Sequence, residues 1–232
     1  MEDKKYILTD EVIEYYSCKL YRVMAVKDFG NIHKGDLGGW IESEDNLSQG
    51  YNCWVSDNAK VYGRARVFGD ALIYDNAEIF GDAMIYENAL IYGNALIYGL
   101  ARVCGNAKVY GNAIIYGKTE VYGKAEVFGN AEIFGDLEVF ENARVCGKAK
   151  VYGYGYIRGD ANIESNEDYA VFKNTWSSDR YFIWTRSNNM WSVGCFYGTG
   201  EELIKKAYKD SEKSGKCYEI IVKAQELISN IK

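Results

Sequence analysis

Val61-Tyr-Gly-Arg-Ala-Arg66 is followed without a break by Val67-Phe-Gly-Asp-Ala-Leu72, and the same six-residue phrase continues to Asn162. Counted from Val55, the chain holds eighteen consecutive units with no insertion and no deletion. The first position is Val or Ile in all eighteen, the third is Gly in fourteen, and the fifth is Ala in fifteen, the exceptions being Thr119, Leu137 and Gly155. Self-similarity at a fixed period marks a solenoid and takes priority over any local reading. Each unit reads Ala-x-Val/Ile-aromatic, so with period two the small and branched residues face inward and their neighbours outward. Gly and then Asn or Asp turn a corner, because both accept positive φ. Six residues cannot close a core alone, but three units per turn make a triangular coil whose neighbouring turns stack as parallel strands. Six turns result, roughly 29 Å tall at ~4.8 Å per strand step.

Charge supports a stacking interval of eighteen residues. It places Lys108, Glu126 and Arg144 in one alternating ladder and Glu132 next to Lys150, favourable neighbours on adjacent strands. Glu120 and Glu138 are the like-charge pair that the same interval creates.

The unit resembles the hexapeptide repeat of left-handed parallel β-helices, an aliphatic residue with a glycine soon after it and a small residue at the fifth position. That resemblance covers about half the chain. It implies a mainly β fold, a left-handed parallel β-helix of about six regular coils over residues 55–165.

The flanks differ in composition. An open coil end exposes unpaired strand edges, so residues 1–54 are assigned as an amino-terminal cap with irregular first coils around Ile41, Leu47 and Val55, and Leu20-Tyr-Arg-Val-Met-Ala-Val26 alternates like a strand. Residues 166–232 read as an α+β module. Three strands are expected at 169–172, 180–185 and 190–196, the last two joined by a turn at 187–189. Thr199 stands three residues before Glu202, a capping box that starts a helix expected to reach Lys213 and end at Gly215. A second helix is expected from Tyr218 to Ile231, with Ile220, Ile221, Ala224, Leu227, Ile228 and Ile231 as its buried stripe.

Composition narrows the function classes. The 232 residues include no proline, 24 glycines and 21 tyrosines at 48% hydrophobic content, which excludes disorder and collagen. With 33 acidic against 27 basic residues the formal charge is −6, the wrong sign for phosphate neutralisation, so no direct nucleic-acid binding is expected. No apolar run approaches the roughly 18 residues of a membrane span, and a cytoplasmic protein is expected. The six cysteines are widely spaced with no C-x-x-C pair, and read as reduced thiols. Cys104 and Cys146 replace aromatics on different faces and are expected as surface substitutions.

Val23-Met-Ala-Val-Lys-Asp-Phe, Lys34-Gly-Asp-Leu-Gly-Gly-Trp, Asn46-Leu-Ser-Gln and Cys53-Trp-Val resemble the opening of hexapeptide-repeat proteins of enteric bacteria and their prophages. Some of those carry an acetyltransferase label by fold analogy, which does not establish function. Acyltransferases of this fold generally use a histidine to deprotonate the acceptor, often beside a loop ejected from the coil. This chain has one histidine, His33, between Ile32 and Lys34, where a solvated turn residue is the plainer reading, and the eighteen units eject no loop. Three histidine ligands for zinc cannot come from one, so no metal site is expected. No cofactor is expected either.

The faces offer binding surfaces instead. Tyr62, Phe80, Tyr98, Tyr116, Phe134 and Tyr152 form an aromatic column with Leu96 and Ile114 beside it, and Leu72 and Leu90 lie beside Tyr74, Tyr92 and Tyr110 on the next face. The remaining face carries Arg66, Arg102, Glu120 and Glu138. Leu72, Tyr74, Leu90, Tyr92, Leu96, Tyr98, Ile114 and Tyr116 are the candidate interface for a homodimer or trimer, with stiffening of the coil as the plainer role. In the terminal module Trp176, Arg180, Trp184, Arg186, Asn188, Trp191 and Tyr197 form a candidate binding set, rich in hot-spot residue types. The plainer reading packs Trp184 and Trp191 into a small core. Together these features suggest a non-enzymatic binder of a host protein or ribonucleoprotein complex, in its sharpest form a prophage-type defence antagonist such as an anti-CRISPR. The rivals are an acyltransferase using acetyl-coenzyme A and a structural scaffold.

Overall fold

The computed structural model describes residues 4–231; residues 1–3 and Lys232, the outermost ends of the two flanking segments, lie outside it. The first-position residues stack in three vertical rows, one per face of a triangular coil. The first face holds Ile41, Val61, Ile79, Ile97, Ile115, Ile133 and Val151. The second runs from Leu47 through Val67, Ile85, Val103, Val121 and Val139 to Ile157, and the third from Val55 to Ile163 as a seven-stranded parallel sheet. The eighteen regular units thus make six turns, and the irregular coil from Ile41 to Val55 adds a seventh layer. Every one of these side chains is at most 1% exposed, as are the alanines between them. Full burial of each Val or Ile contributes on the order of 1.5–3 kcal/mol gross.

Register follows the eighteen-residue interval. Leu72 pairs with Leu90, and Lys108 with Glu126. Lys108 and Arg144 lie 3.5 and 3.6 Å from Glu126, and Lys150 lies 3.0 Å from Glu132. Glu120 and Glu138 are neighbours, as the interval requires, but Arg102 approaches Glu120 at 3.2 Å and the Tyr122 hydroxyl donates to Glu138 at 2.7 Å. Each carboxylate therefore has its own donor.

The corners explain the third-position glycines. Gly93 has φ 73°, and a Cβ there would sit 2.9 Å from both the N and O of Gly111 in the next turn. Where the third position is not Gly it is acidic: Asp57, Asp75, Glu87 and Glu141 hold φ between 54° and 60°. Each carboxylate accepts the corner N–H eighteen residues on, Glu87 from Gly105 at 2.7 Å and Glu141 from Gly159 at 2.6 Å, which offsets the strain. One corner also carries an amide ladder, Asn58, Asn76, Asn94, Asn112 and Asn130, each Nδ2 donating to the next Oδ1 at 3.0–3.3 Å.

Both ends of the coil are covered. At the amino end Tyr6–Tyr15 and Cys18–Ala25 form an antiparallel hairpin that pairs with Leu37–Ile41, which in turn starts the first face. Lys5 is buried beneath it. Its ammonium donates to the carbonyls of Cys53 at 2.8 Å and of Gly50 and Tyr51 at 3.2 Å, and burial pushes its pKa down. At the carboxy end Ile183 enters the core row, and a Cβ on Gly155 would lie 3.1 Å from its Cδ1.

The terminal module corrects four expectations. Its antiparallel sheet has four strands, Tyr169–Lys173, Tyr181–Thr185, Met190–Val193 and Phe196–Gly198, because Gly194 at φ 54° turns the chain inside the expected third strand. Helix α1 (Gly200–Asp210) starts at the capping box but stops at Ser211, whose extended backbone and hydroxyl cap α2 (Glu212–Ser229). Gly215 therefore lies within α2, where a Cβ would meet the Tyr208 ring at 2.3 Å; it permits close helix contact and ends nothing. The buried side of α2 is Tyr218, Val222 and Gln225, whereas Ile220, Leu227, Ile228 and Ile231 are exposed. Cys146 is buried at 7% exposure, against the surface position expected.

Gly93→Ala places a methyl against the next corner's backbone and forces an L side chain into positive φ. It is expected to lower the unfolding free energy by about 1–3 kcal/mol in a denaturant titration.

Candidate functional site

The column Ala65, Ala83, Ala101, Thr119, Leu137, Gly155 follows one corner of the coil, and it is where the repeat gives way. At Leu137 and Gly155 the corner straightens: Glu132–Val139 and Lys150–Ile157 run on as eight-residue strands, paired residue for residue. Gly153 and Gly155, at φ 123° and 133°, carry Tyr154 outward between them. Tyr154 is 51% exposed and stacks on Tyr181 of the terminal module, ring centroids 4.9 Å apart.

This stack borders a cleft of about 610 Å³ between the last coils and the module. Asp136, Glu138 and Phe140 form one wall, and Arg180, Gly194 and Cys195 the other. Arg158 braces the floor: Nη2 donates to the Phe196 carbonyl at 2.7 Å, and the guanidinium lies 4.9 Å from the Tyr197 ring centre. The Tyr197 hydroxyl donates to the Arg158 carbonyl at 3.2 Å and accepts from Asn188 at 3.1 Å, and burial pushes its pKa up. Burial and then Glu138 push up the pKa of Tyr122 nearby. A second cleft of about 440 Å³, toward α1, shares Arg180 and Cys195.

The seven expected binding residues are dispersed. Trp184 and Trp191 are 2% and 1% exposed and pack with Phe182, Leu203 and Val222, as the plainer reading held. Trp176 is half-buried, edge-on to Phe182 and Tyr218. Asn188 and Tyr197 hold the floor of the junction, and Arg186 lies in a separate shallow cleft near the end of α2. Only Arg180 of the set reaches the junction cleft's mouth. Tyr154, Tyr181 and Arg158 were missed, although the disturbed unit Gly153-Tyr-Gly155 was visible in the sequence.

His33 sits on a turn at the opposite end of the coil, its side chain 78% exposed and its backbone N–H donating to Asp36 Oδ2 at 2.8 Å. The aromatic column is continuous: successive rings from Tyr62 to Tyr152 stack at 4.9–5.4 Å. Tyr74, Tyr92 and Tyr110 stack likewise on the third face. Leu72 is exposed and Leu90, Leu96 and Ile114 are half-buried, so these residues do reach the surface. The described residues contain no group of three or more His, Cys, Asp or Glu able to hold a metal ion, and no helix long and apolar enough to cross a membrane. All six cysteines are free.

The two classes of residue separate in stability. Trp191→Ala is expected to cost about 3–5 kcal/mol and Arg180→Ala to stay within about 0.5 kcal/mol of the parent, both read by denaturant unfolding.

Two comparisons bear on these observations. Residues 101–117 match the family described as YdcK Beta solenoid repeat. Over 45 residues, 19% of this chain, the sequence is 42% identical to the protein named "Uncharacterized acetyltransferase YdcK" of Escherichia coli (strain K12), and the aligned stretch spans 14% of that protein's length. The repeat match and the stacked turns agree on one identification: the chain is a hexapeptide-repeat β-solenoid protein.

Proposed function

We propose that the protein acts by binding, with the junction cleft as its recognition site and a basic surface on a host protein or ribonucleoprotein as its partner. The observation that carries this reading is the exposed Tyr154–Tyr181 stack set beside Arg180 and the carboxylates of Asp136 and Glu138. Aromatic side chains bury much surface with few rotatable bonds and Arg adds a planar fork of donors, so both recur at hot spots. A net charge of −6 steers the chain toward basic grooves, including those that hold nucleic acid. In its sharpest form the partner is a bacterial defence complex and the protein an antagonist of the anti-CRISPR kind. Charge and the resemblance of the opening segments to prophage proteins support that form.

A second reading, acyl transfer, is favoured by the name of the Escherichia coli relative. On this chain its candidate base, His33, stands on the amino-terminal turn, the length of the coil away from the junction cleft.

Purified CRISPR effector complexes, mixed with the protein before target DNA is added, test the binding reading. Suppressed cleavage by at least one complex is expected, with a loss of potency of tenfold or more in the double variant Tyr154→Ala, Arg180→Glu. Undiminished cleavage and no co-elution with any complex would sink the defence form. Acetyl-coenzyme A with a panel of amine and hydroxyl acceptors tests the rival. Turnover that vanishes in His33→Ala would replace binding by catalysis as the function.

A further inference from the structure

Over five turns, the outward ladder of the second face reads the same in both directions. It runs Phe68, Tyr86, Cys104, Tyr122, Phe140, one residue per turn, with stacked rings on either side of Cys104. The order is symmetric about Cys104. The parallel column of Arg66, Met84, Arg102, Glu120 and Glu138 is basic at one end and acidic at the other. The corner that leads into the face runs Arg64, Asp82, Leu100, Lys118, Asp136, opposite in sign about Leu100. These two columns line a trough of about 640 Å³.

Symmetry gives this pattern a meaning. A two-fold axis lying in the face and perpendicular to the coil reverses the order of the turns while keeping each column opposite itself. Placed through the turn of Leu100 and Cys104, it sets Arg64 against the partner's Asp136, Asp82 against the partner's Lys118, and Arg66 against the partner's Glu138. Each of these opposite-charge pairs is made twice. Phe68 then faces the partner's Phe140, and Tyr86 faces the partner's Tyr122. On the axis itself a side chain meets its own copy, and there the ladder carries a small thiol in place of a ring and the corner carries Leu100, 51% exposed. One like-charge meeting remains, at Arg102. Its guanidinium is already 3.2 Å from its own Glu120, and the partner's Glu120 falls one turn away.

We propose that this face docks on the same face of a second copy of the chain, coils antiparallel, about a two-fold axis through the turn of Leu100 and Cys104. The first face is a poorer seat despite Leu96 and Ile114. Reversing its column Lys60, Glu78, Leu96, Ile114, Glu132, Lys150 sets lysine on lysine and glutamate on glutamate. The dimer places the two junction clefts at opposite ends of the pair, with Asp136, Glu138 and Phe140, one wall of each cleft, set against the partner; it does not rest on those clefts being recognition sites.

Sedimentation of the full chain over a wide range of concentration tests the proposal. The expected mass rises from the single chain of 26.3 kDa to twice that value. Leu100→Glu, at an exposed corner, is expected to return the single-chain mass with an unchanged circular dichroism spectrum and unfolding midpoint. Asp136→Arg is expected to weaken association tenfold or more, and Arg64→Asp added to it to restore association. A short-arm bismaleimide is expected to join chains through Cys104, a product lost in Cys104→Ser and kept in Cys195→Ser. A single-chain mass throughout, a dimer indifferent to Leu100→Glu, or one dissolved by Leu96→Glu instead overturns the proposal.

Discussion

Alternate residues of the regular coil donate their backbone N–H to a carbonyl of the next turn, about 4.8 Å away along the axis, and so hold residues eighteen apart in register. That constraint organises everything else. Residues at one position of the hexad become vertical columns, and a column must satisfy itself because its members touch. Val and Ile stack on Val and Ile within the core, rings on rings at 4.8–5.4 Å, and asparagines hydrogen-bond to asparagines at a corner. Charged columns alternate in sign or take a tyrosine hydroxyl as a separate donor. Acidic residues that replace a corner glycine cap the corner of the next turn. The column is the unit of stability here, as the i,i+4 pair is in a helix.

The same constraint sets where function can reside. A strict repeat presents flat, rigid faces, and their chemistry is written by the outward residues alone. The second face uses that freedom to carry a self-complementary pattern. Irregularity is confined to the ends and to one corner, where Ala gives way to Thr119, Leu137 and Gly155. Leu137 is too large for the tight corner, so the strand stays extended; Gly155 leaves room for Ile183, and Tyr154 is turned outward as a consequence. The junction cleft is thus a product of how the coil is closed.

The coil was legible in the sequence because its inward residues recur without interruption, and its register was legible because Lys108, Glu126 and Arg144 alternate in sign at an interval of eighteen. The amino-terminal hairpin was not. Its first strand is irregular between Leu8 and Val12, which breaks the alternation that would have marked it. The stripe of Ile220, Leu227, Ile228 and Ile231 misled for a different reason. Contact between the helices is decided by Gly215, which lets the Tyr208 ring approach, and this turns the apolar stripe to the surface. The tryptophans of the module were conspicuous as recognition types, yet a module this small needs Trp184 and Trp191 for its own core. What reaches the cleft instead is Tyr154, the one aromatic residue at the fourth position of the eighteen units, with a second glycine after it.

Excision of one complete turn tests the stacking account most directly. Removing the eighteen residues 97–114 brings each column back onto itself, and the shortened protein is predicted to keep its β circular dichroism and a single cooperative unfolding transition. Removing the nine residues 97–105 sets outward residues against inward ones and is predicted to abolish both. Equal damage from the two excisions, or equal tolerance of them, would contradict the account.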